Sequence, residues 1–339
     1  MVKDDNPTLD LVELAYERDR GSQDWLEEIG TILGRIVPGV VSCYVFEVDR
    51  VDDRVVLGAR WFEDRAIGEQ ITRFFSEAPG ELLDVFHRSP LVGRTSREVL
   101  RDAGLRHEAT IVPDMLGAMG IRELFAVPAI GPGGRGSVLG MCLDEREGPP
   151  AQQRTMLAQL SAHVAAGARL HARLDGASAL EDAAAILEPD GTLADGSAAG
   201  IAARDLIGQA VRDIERARRR GTDSQEALDL WQGLVDGRWS LVDHYEGDGR
   251  RYYVAVENST EAARSKALTP REAQVVAYLA SGTPSQNAAY ALGLKVVTVR
   301  GHLKNAMEKL GVRDRAELIG LRASLLGRAA PADDLDEDP

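Results

Sequence analysis

The stretch from Leu268 to Gly327 admits few folds, because its start and stop signals come so close together that only short helices fit between them. Thr269-Pro270-Arg271-Glu272 is a capping box, in which threonine accepts from a backbone N–H three residues on and glutamate reaches back. Its proline takes the first helical position, where a missing N–H costs nothing. Val275, Val276 and Leu279 supply the inner face of this helix, and Ser281-Gly282-Thr283-Pro284 stops it. A second short helix runs through Ala288, Ala289 and Leu292 to a tight break at Gly293-Leu294, which is a helix–turn–helix spacing. In the third, at about 100° per residue, Leu303, Ala306 and Leu310 fall within about 40° of Val299 and form one buried stripe. Val297, Arg300, Gly301 and Lys304 fall on the far side, and His302 lies beside the stripe as a packing residue. Asp314-Arg315-Ala316-Glu317 is another capping box and opens a fourth helix, with Leu318, Leu321 and Leu325 inward.

The charge of the chain sharpens this picture. The 339 residues carry a formal net charge of -14, yet residues 268–327 hold eight Lys and Arg against four acids, a net +4 that leaves -18 on the rest. A basic segment on an acidic body repels polyanions everywhere except at one surface. The length suits two or three domains, and 44% hydrophobic with 28% charged residues excludes a collagenous, fully disordered or disulfide-dense chain. No run approaches the roughly 18 apolar residues of a membrane span, and Met1-Val2-Lys3-Asp4-Asp5-Asn6-Pro7 lacks the apolar stretch of a signal peptide, so a cytoplasmic protein is expected. Cys43 and Cys142 each lie in an apolar run with strand character, and both are read as buried free thiols.

The segment from Leu268 resembles the DNA-binding domain of LuxR-type response regulators. Leu268-Thr269-Pro270-Arg271-Glu272 matches the motif's opening, Gly282 its first turn and Leu292-Gly293-Leu294 its second. Thr298-Val299-Arg300-Gly301-His302 matches Thr-Val-Lys-x-His, and Asn305 with Lys309-Leu310-Gly311-Val312 matches Asn…Lys-Leu-x-Val. The resemblance implies that Arg300 and Lys304 stand where base- and phosphate-contacting cations stand, with Gly301 at a third contact position. Val297, Thr298, Asn305 and Lys309 complete the DNA-contacting set expected in a major groove. Three departures weaken the expected grip. Pro284-Ser285-Gln286-Asn287-Ala288-Ala289 replaces the family's Ser-Asn-Lys-Glu-Ile-Ala, Lys295 replaces a Ser or Thr cap, and Gly301 costs about 1 kcal/mol of helix propensity.

Residues 8–175 read as helix, alternating sheet, then helix. Trp25, Leu26, Ile29, Leu33 and Ile36 follow helical spacing to Pro38-Gly39; strands are expected at 40–49, 54–61, 123–130 and 137–143, and a closing helix carries Leu157, Leu160 and Val164 through Leu174. This order resembles a GAF sensor domain, which implies a small-molecule pocket of unspecified ligand. Gly131-Pro132-Gly133-Gly134-Arg135-Gly136 satisfies the dinucleotide fingerprint formally, but the strand-like Ser137-Val138-Leu139-Gly140 follows it, so a hairpin turn is expected. His87 and His107 read as polar loop or helix-end residues, and no cofactor or metal is expected.

Between these units, residues 176–260 read as a linker and connector. Ala185 to Ala194 forms a hairpin around Pro189-Asp190-Gly191, a basic helix from Ala203 to Arg220 ends in Arg216, Arg218, Arg219 and Arg220, and a second hairpin brackets Gly247-Asp248-Gly249. The helix dipole accounts for those arginines, with a DNA-backbone contact left open. The connector resembles a truncated PAS unit, and a satellite sheet fits the pattern equally. The whole is an α+β multidomain chain: a GAF-like α/β sensor (8–175), a PAS-like or hairpin connector (176–260), a C-terminal all-α four-helix LuxR-type helix–turn–helix (265–327) and a disordered acidic tail (328–339).

The function expected is a sequence-specific transcription regulator on double-stranded promoter DNA, a homodimer paired through the Leu157–Leu174 helix, with an RNA polymerase contact as a further partner. A sigma-like adaptor whose helix–turn–helix binds the transcription machinery is the alternative. No Ser/His/Asp, paired-carboxylate or metal constellation emerges, so no enzyme is expected, and residues 1–120 lack the alternation of a receiver domain.

Overall fold

A computed structural model describes residues 6–17, 21–51, 54–82, 85, 93–131, 135–174, 183–219, 222–231, 239–245, 251–257, 268–310 and 312–320. Helix α1 (Pro7–Tyr16) starts where the Asn6 side chain accepts from Leu9 N–H, and α2 (Ser22–Ile36) buries the expected Trp25, Leu26, Ile29, Leu33 and Ile36. Strands β1 (Val40–Val51) and β2 (Arg54–Phe62) follow, then α3 (Arg65–Glu77), β3 (Arg94–Thr95), α4 (Ser96–Asp102), α5 (Val112–Ala118), β4 (Glu123–Ile130), β5 (Arg135–Leu143) and the long α6 (Ala151–Leu174). The strands form one antiparallel sheet in the order β2-β1-β5-β4-β3. Ile130 pairs with Gly136, so the glycine-rich segment joins two antiparallel strands as a hairpin rather than leading into a helix.

The period of two along a strand decides what covers each face. Cys43, Val45, Leu139, Met141, Phe125 and Val127 point toward α1, α2 and α6. Tyr44, Phe46, Val48 and Cys142 point the other way, into a cluster with Ile67, Ile71 and Phe74 of α3, Leu100 of α4 and Val112 and Leu116 of α5. The two thiols are therefore free, buried and on opposite faces, and desolvation raises both, Cys142 to about 12.

A second antiparallel sheet, ordered β7-β6-β9-β8, is built from β6 (Ala183–Leu187), β7 (Leu193–Gly196), β8 (Trp239–Tyr245) and β9 (Arg251–Glu257). Between its halves run α7 (Ala198–Ala202), α8 (Arg204–Ala217) and α9 (Ser224–Leu230). Ile207, Val211 and Ile214 of α8, Leu228 of α9 and Tyr253 and Val254 of β9 join the same apolar cluster as Leu11, Leu26, Leu157 and Leu160, so the two sheets share a core. Among the described residues no helix is long and apolar enough to cross a membrane.

Two expectations change here. Of the arginines assigned to the end of the basic helix, Arg218 is drawn inside the molecule. It pairs with Glu13 at 2.9 Å and with Asp243 at 2.5 Å, donates to the Tyr253 hydroxyl at 2.5 Å and lies 4.6 Å over the Trp231 ring. Burial opposes its charge, but Asp243, Tyr253 and Glu13 outweigh that and raise its pKa further. Such a side chain, 12% exposed, is a joint between α1 and the second sheet, not a surface for phosphate. Arg216 pairs with Asp213 at 3.3 Å, and Arg220 lies outside the described residues. The helix nominated to pair two copies is likewise occupied: Leu157, Leu160, Val164, Ala166 and Leu170 of α6 are buried within the chain, against α1 and the first sheet.

Helices α1 and α6 pack backbone to backbone at Gly167, where an added Cβ would sit 1.9 Å from the Ala15 carbonyl oxygen. Gly167→Ala should force the helices apart and cost about 1–3 kcal/mol, an overpacking penalty. Urea unfolding would measure it, and an unchanged midpoint would show that α1 moves at no cost.

Candidate nucleic-acid interface

The C-terminal helices are α10 (Pro270–Ala280), α11 (Ser285–Leu292), α12 (Val296–Leu310) and α13 (Arg315–Gly320). Both halves of the first capping box form: Thr269 Oγ1 accepts from Glu272 N–H at 3.3 Å, and Glu272 Oε2 accepts from Thr269 N–H at 2.8 Å. Gly293 ends α11 at φ +62°, a left-handed conformation that suits glycine, and Leu294 N–H returns to the Ala289 carbonyl at 2.8 Å. That cap sets the angle at which α12 leaves. Asp314 Oδ1 accepts from Glu317 N–H at 2.9 Å, while Glu317 reaches back one residue further than a standard box, to Arg313 N–H at 2.7 Å. Leu318 is fully buried, and Leu321 and Leu325 lie outside the described residues.

On α12 the expected stripe is found. Val299 and Ala306 are buried, and Leu303 and Leu310 pack against the same cluster as Val275, Leu279, Ala288 and Leu292. The opposite face is open: Val297 is 71% exposed, and Arg300, Gly301, Lys304 and Asn305 are exposed beside it. Nothing lies within 4 Å of where a Gly301 Cβ would be. Arg300 has no ion-pair partner among the described residues. Lys304 has a loose one, Glu308 at 3.9 Å, with both side chains well exposed, and such a pair contributes under about 1 kcal/mol. Both cations can therefore turn to an incoming anion at little cost.

Thr298 is half-buried, as is His302. Lys309 lies off this face, its Nζ 2.7 and 2.9 Å from the two carboxylate oxygens of Glu272. That pair and the bond from Thr269 hold the Glu272 carboxyl below the usual range, and they clamp the end of α12 to the start of α10. The motif position of Lys309 suggested DNA contact; its partner stands 37 residues earlier, beyond the reach of a local reading.

The helix–turn–helix also sits against the rest of the chain. Tyr290 of α11 places its hydroxyl 2.8 Å from His163 Nε2 of α6 and 2.8 Å from the Leu228 carbonyl at the end of α9. His163 Nδ1 is in turn 3.1 Å from the Tyr16 hydroxyl of α1. A phenol has one proton, and Tyr290 gives it to Leu228, so it must accept from His163 Nε2–H; Nδ1 then accepts from Tyr16. Every group in this buried chain is satisfied in one polarity only. Desolvation holds His163 neutral, its pKa lowered to about 3.

In the N-terminal body, His107 stands at a helix end, opening a 3-10 turn (His107–Ala109), but it is buried at 8% exposed, where a polar surface had been expected. Burial first, and Arg97 second, lower its pKa. His87 lies outside the described residues. Beneath α3 the apolar face is aromatic, with Tyr44, Phe62 and Phe75 all within 6 Å of the Phe46 ring centroid.

Residues 266–321 match the family model described as GerE, bacterial regulatory proteins, luxR family. Two curated relatives, the HTH-type transcriptional regulators MalT of Vibrio campbellii and of Vibrio parahaemolyticus, are each 29% identical over 114 residues, covering 34% of this chain. The chain thus spans only 12% of the length of those relatives. A solved structure of SdiA in complex with octanoyl-rac-glycerol superposes with a TM-score of 0.33 at 13% identity, over 96% of this chain and 97% of that one. A crystal structure of Escherichia coli SdiA gives 0.33 at 12% identity, over 95% and 96%.

Proposed function

We propose that this chain, whose C-terminal unit is a LuxR-family helix–turn–helix domain, is a cytoplasmic transcription regulator that binds promoter DNA as two copies under the control of its N-terminal body. The observation that carries the reading is the open face of α12, where Val297, Arg300, Gly301, Lys304 and Asn305 stand clear while the opposite stripe is buried. A helix so divided fits a major groove, where Arg300 can donate to guanine O6 and N7, Lys304 can meet a phosphate, and Val297 can pack on a thymine methyl. Gly301 lets the backbone approach closely between them.

A single four-helix module offers little area, and two half-sites one turn apart reward twofold symmetry. The five-stranded antiparallel sheet, with α1, α2 and α6 on one face and α3 to α5 on the other, supports a GAF-like sensor over 8–175. The second sheet with α7 to α9 supports a PAS-like connector over 176–260. The helix–turn–helix occupies 265–327, no catalytic role is assigned, and the sensed signal acts by shifting the population of docked and free DNA-binding units.

Fluorescence anisotropy on duplex DNA from the upstream region of the gene, at several salt concentrations, tests this. Arg300→Ala should cost about 1–3 kcal/mol on the preferred site and relax sequence preference, whereas Lys304→Ala should weaken all sequences alike and flatten the salt slope by about one unit. Replacing thymine by uracil in the site should weaken the parent protein but not Val297→Ala. Equal losses on all sequences for Arg300→Ala would remove its base-reading role, and a salt slope near zero would favour an adaptor that binds protein.

A further inference from the structure

Among the described residues the seat of α11 on α6 is made by the Tyr290 hydroxyl in its chain of hydrogen bonds, the Tyr290 ring edge-on to His163 at 5.7 Å, Ala162 against the cluster of the C-terminal helices, and the Arg169 guanidinium 3.4 Å from the Tyr278 hydroxyl of α10. The helix–turn–helix has its own core of Val275, Leu279, Ala288, Leu292, Val299, Ala306 and Leu318, so releasing the seat leaves that core whole. The interaction is polar, directional and local, which suits a contact that opens.

Its position sets its effect on DNA. When a helix–turn–helix docks, the helix before the recognition helix crosses the phosphate backbone, and here that helix is α11. Tyr290 holds α11 against a body, residues 1–267, whose formal net charge is -14, with the Asp229 carboxylate of α9 near enough to act on the Tyr290 hydroxyl. A polyanion drawn to α12 is repelled by the net negative charge of the body to which α11 is fastened.

We propose that Tyr16, His163 and Tyr290 form a latch that holds the DNA-binding unit in a low-affinity docked state, and that DNA binding is strengthened when the latch opens. This rests on the DNA-binding reading above. The latch joins α1, α6 and α9 to α11, so a rearrangement of the N-terminal body at any of three elements reaches the DNA-binding unit through one side chain.

The test uses the full chain and Tyr290→Phe, with Tyr16→Phe as a second variant that breaks the far end of the chain of bonds without touching the helix–turn–helix. Hydrogen exchange of segments 157–170 and 285–292 reports opening, and anisotropy on the upstream duplex reports affinity. Both variants should raise exchange in those segments, leave β1 to β5 protected, and bind DNA at least fivefold more tightly, the gain shrinking as salt screens the acidic body. Binding curves that superimpose on the parent's, or weaker binding, with exchange raised would overturn the latch alone. Raised exchange with no DNA bound by any form would overturn the DNA-binding reading, and the latch with it.

Discussion

Acidifying the full chain from pH 7 to pH 4 is expected to remove about 3 kcal/mol of stability through one side chain. Burial lowers the His163 pKa from 6.5 to about 3, so between those values the unfolded chain binds a proton that the folded chain excludes. The contribution is complete above the unfolded value and is lost as pH falls toward the folded one, at about 1.4 kcal/mol per unit. The ring faces Tyr16 from α1 and Tyr290 from α11, both held protonated, and neither can neutralise an imidazolium. Arg169 on the same helix acts on Tyr16 and Asp229 on Tyr290, and burial alone shifts the imidazole. Glu98 and Glu272 contribute in the same direction but lower down, while Glu123, raised by burial, works the other way. Glu98 overcomes its burial through hydrogen bonds from Arg154, and Glu272 is held by Lys309, so the window from pH 6.5 to 5 belongs to the buried histidines, His163 with the larger shift and His107, lowered by burial and Arg97, beside it. Urea midpoints across that window should slope for the parent and much less for His163→Gln, whose amide can still donate to Tyr290 and accept from Tyr16, the remaining slope being that of His107. Equal slopes would show that water reaches the ring and solvates its charge.

The second large effect is expected at Arg218. Arg218→Met should cost about 3–5 kcal/mol, because it leaves the part-buried carboxylates of Asp243 and Glu13 without their cation, while Glu215 keeps Arg251. Arg218→Lys should recover only part of this. A point charge cannot serve Glu13 and Asp243 with separate nitrogens while lying flat over Trp231. Urea unfolding of the three proteins would measure the series. A loss below about 1 kcal/mol in the methionine variant would mean that the acids find other partners and that the arginine contributes little.

What the amino-acid sequence made legible follows the range over which its signals act. The C-terminal helices announce themselves through capping boxes, a left-handed glycine and a single buried stripe, all local signals, and the structure forms the first box, the glycine turn and the stripe as expected, the second box only in its Asp314 half. The strands around Cys43 and Cys142 follow from alternation, another local rule. Arg218 was misread because dipole stabilisation is local, whereas Glu13 stands 205 residues away. His163 and Tyr290 gave no signal as single residues, being 127 positions apart. Helix α3 was missed although a signal existed: Asp64 caps it, and Ile67, Ile71 and Phe74 are spaced for one buried face. Helices α4 and α5, of seven residues each, are too short for periodicity to declare them.

The strand orders carry a consequence for how the chain is made. In each sheet the strand that is last in sequence lies inside: β5 between β1 and β4, and β9 between β6 and β8. Until Leu143 emerges during synthesis, β1 and β4 each present a bare edge of backbone donors and acceptors, and until Glu257 emerges β6 and β8 do the same. At ordinary translation rates the interval between those two closures is on the order of 10 s, long enough for the first sheet to finish before the second can. The body is thus assembled in two late steps, and only after both does the ribosome release the C-terminal helices. A nascent chain interrupted before either keystone strand exposes adhesive edges and no finished sheet, and one interrupted after the second carries a complete body without its C-terminal helices.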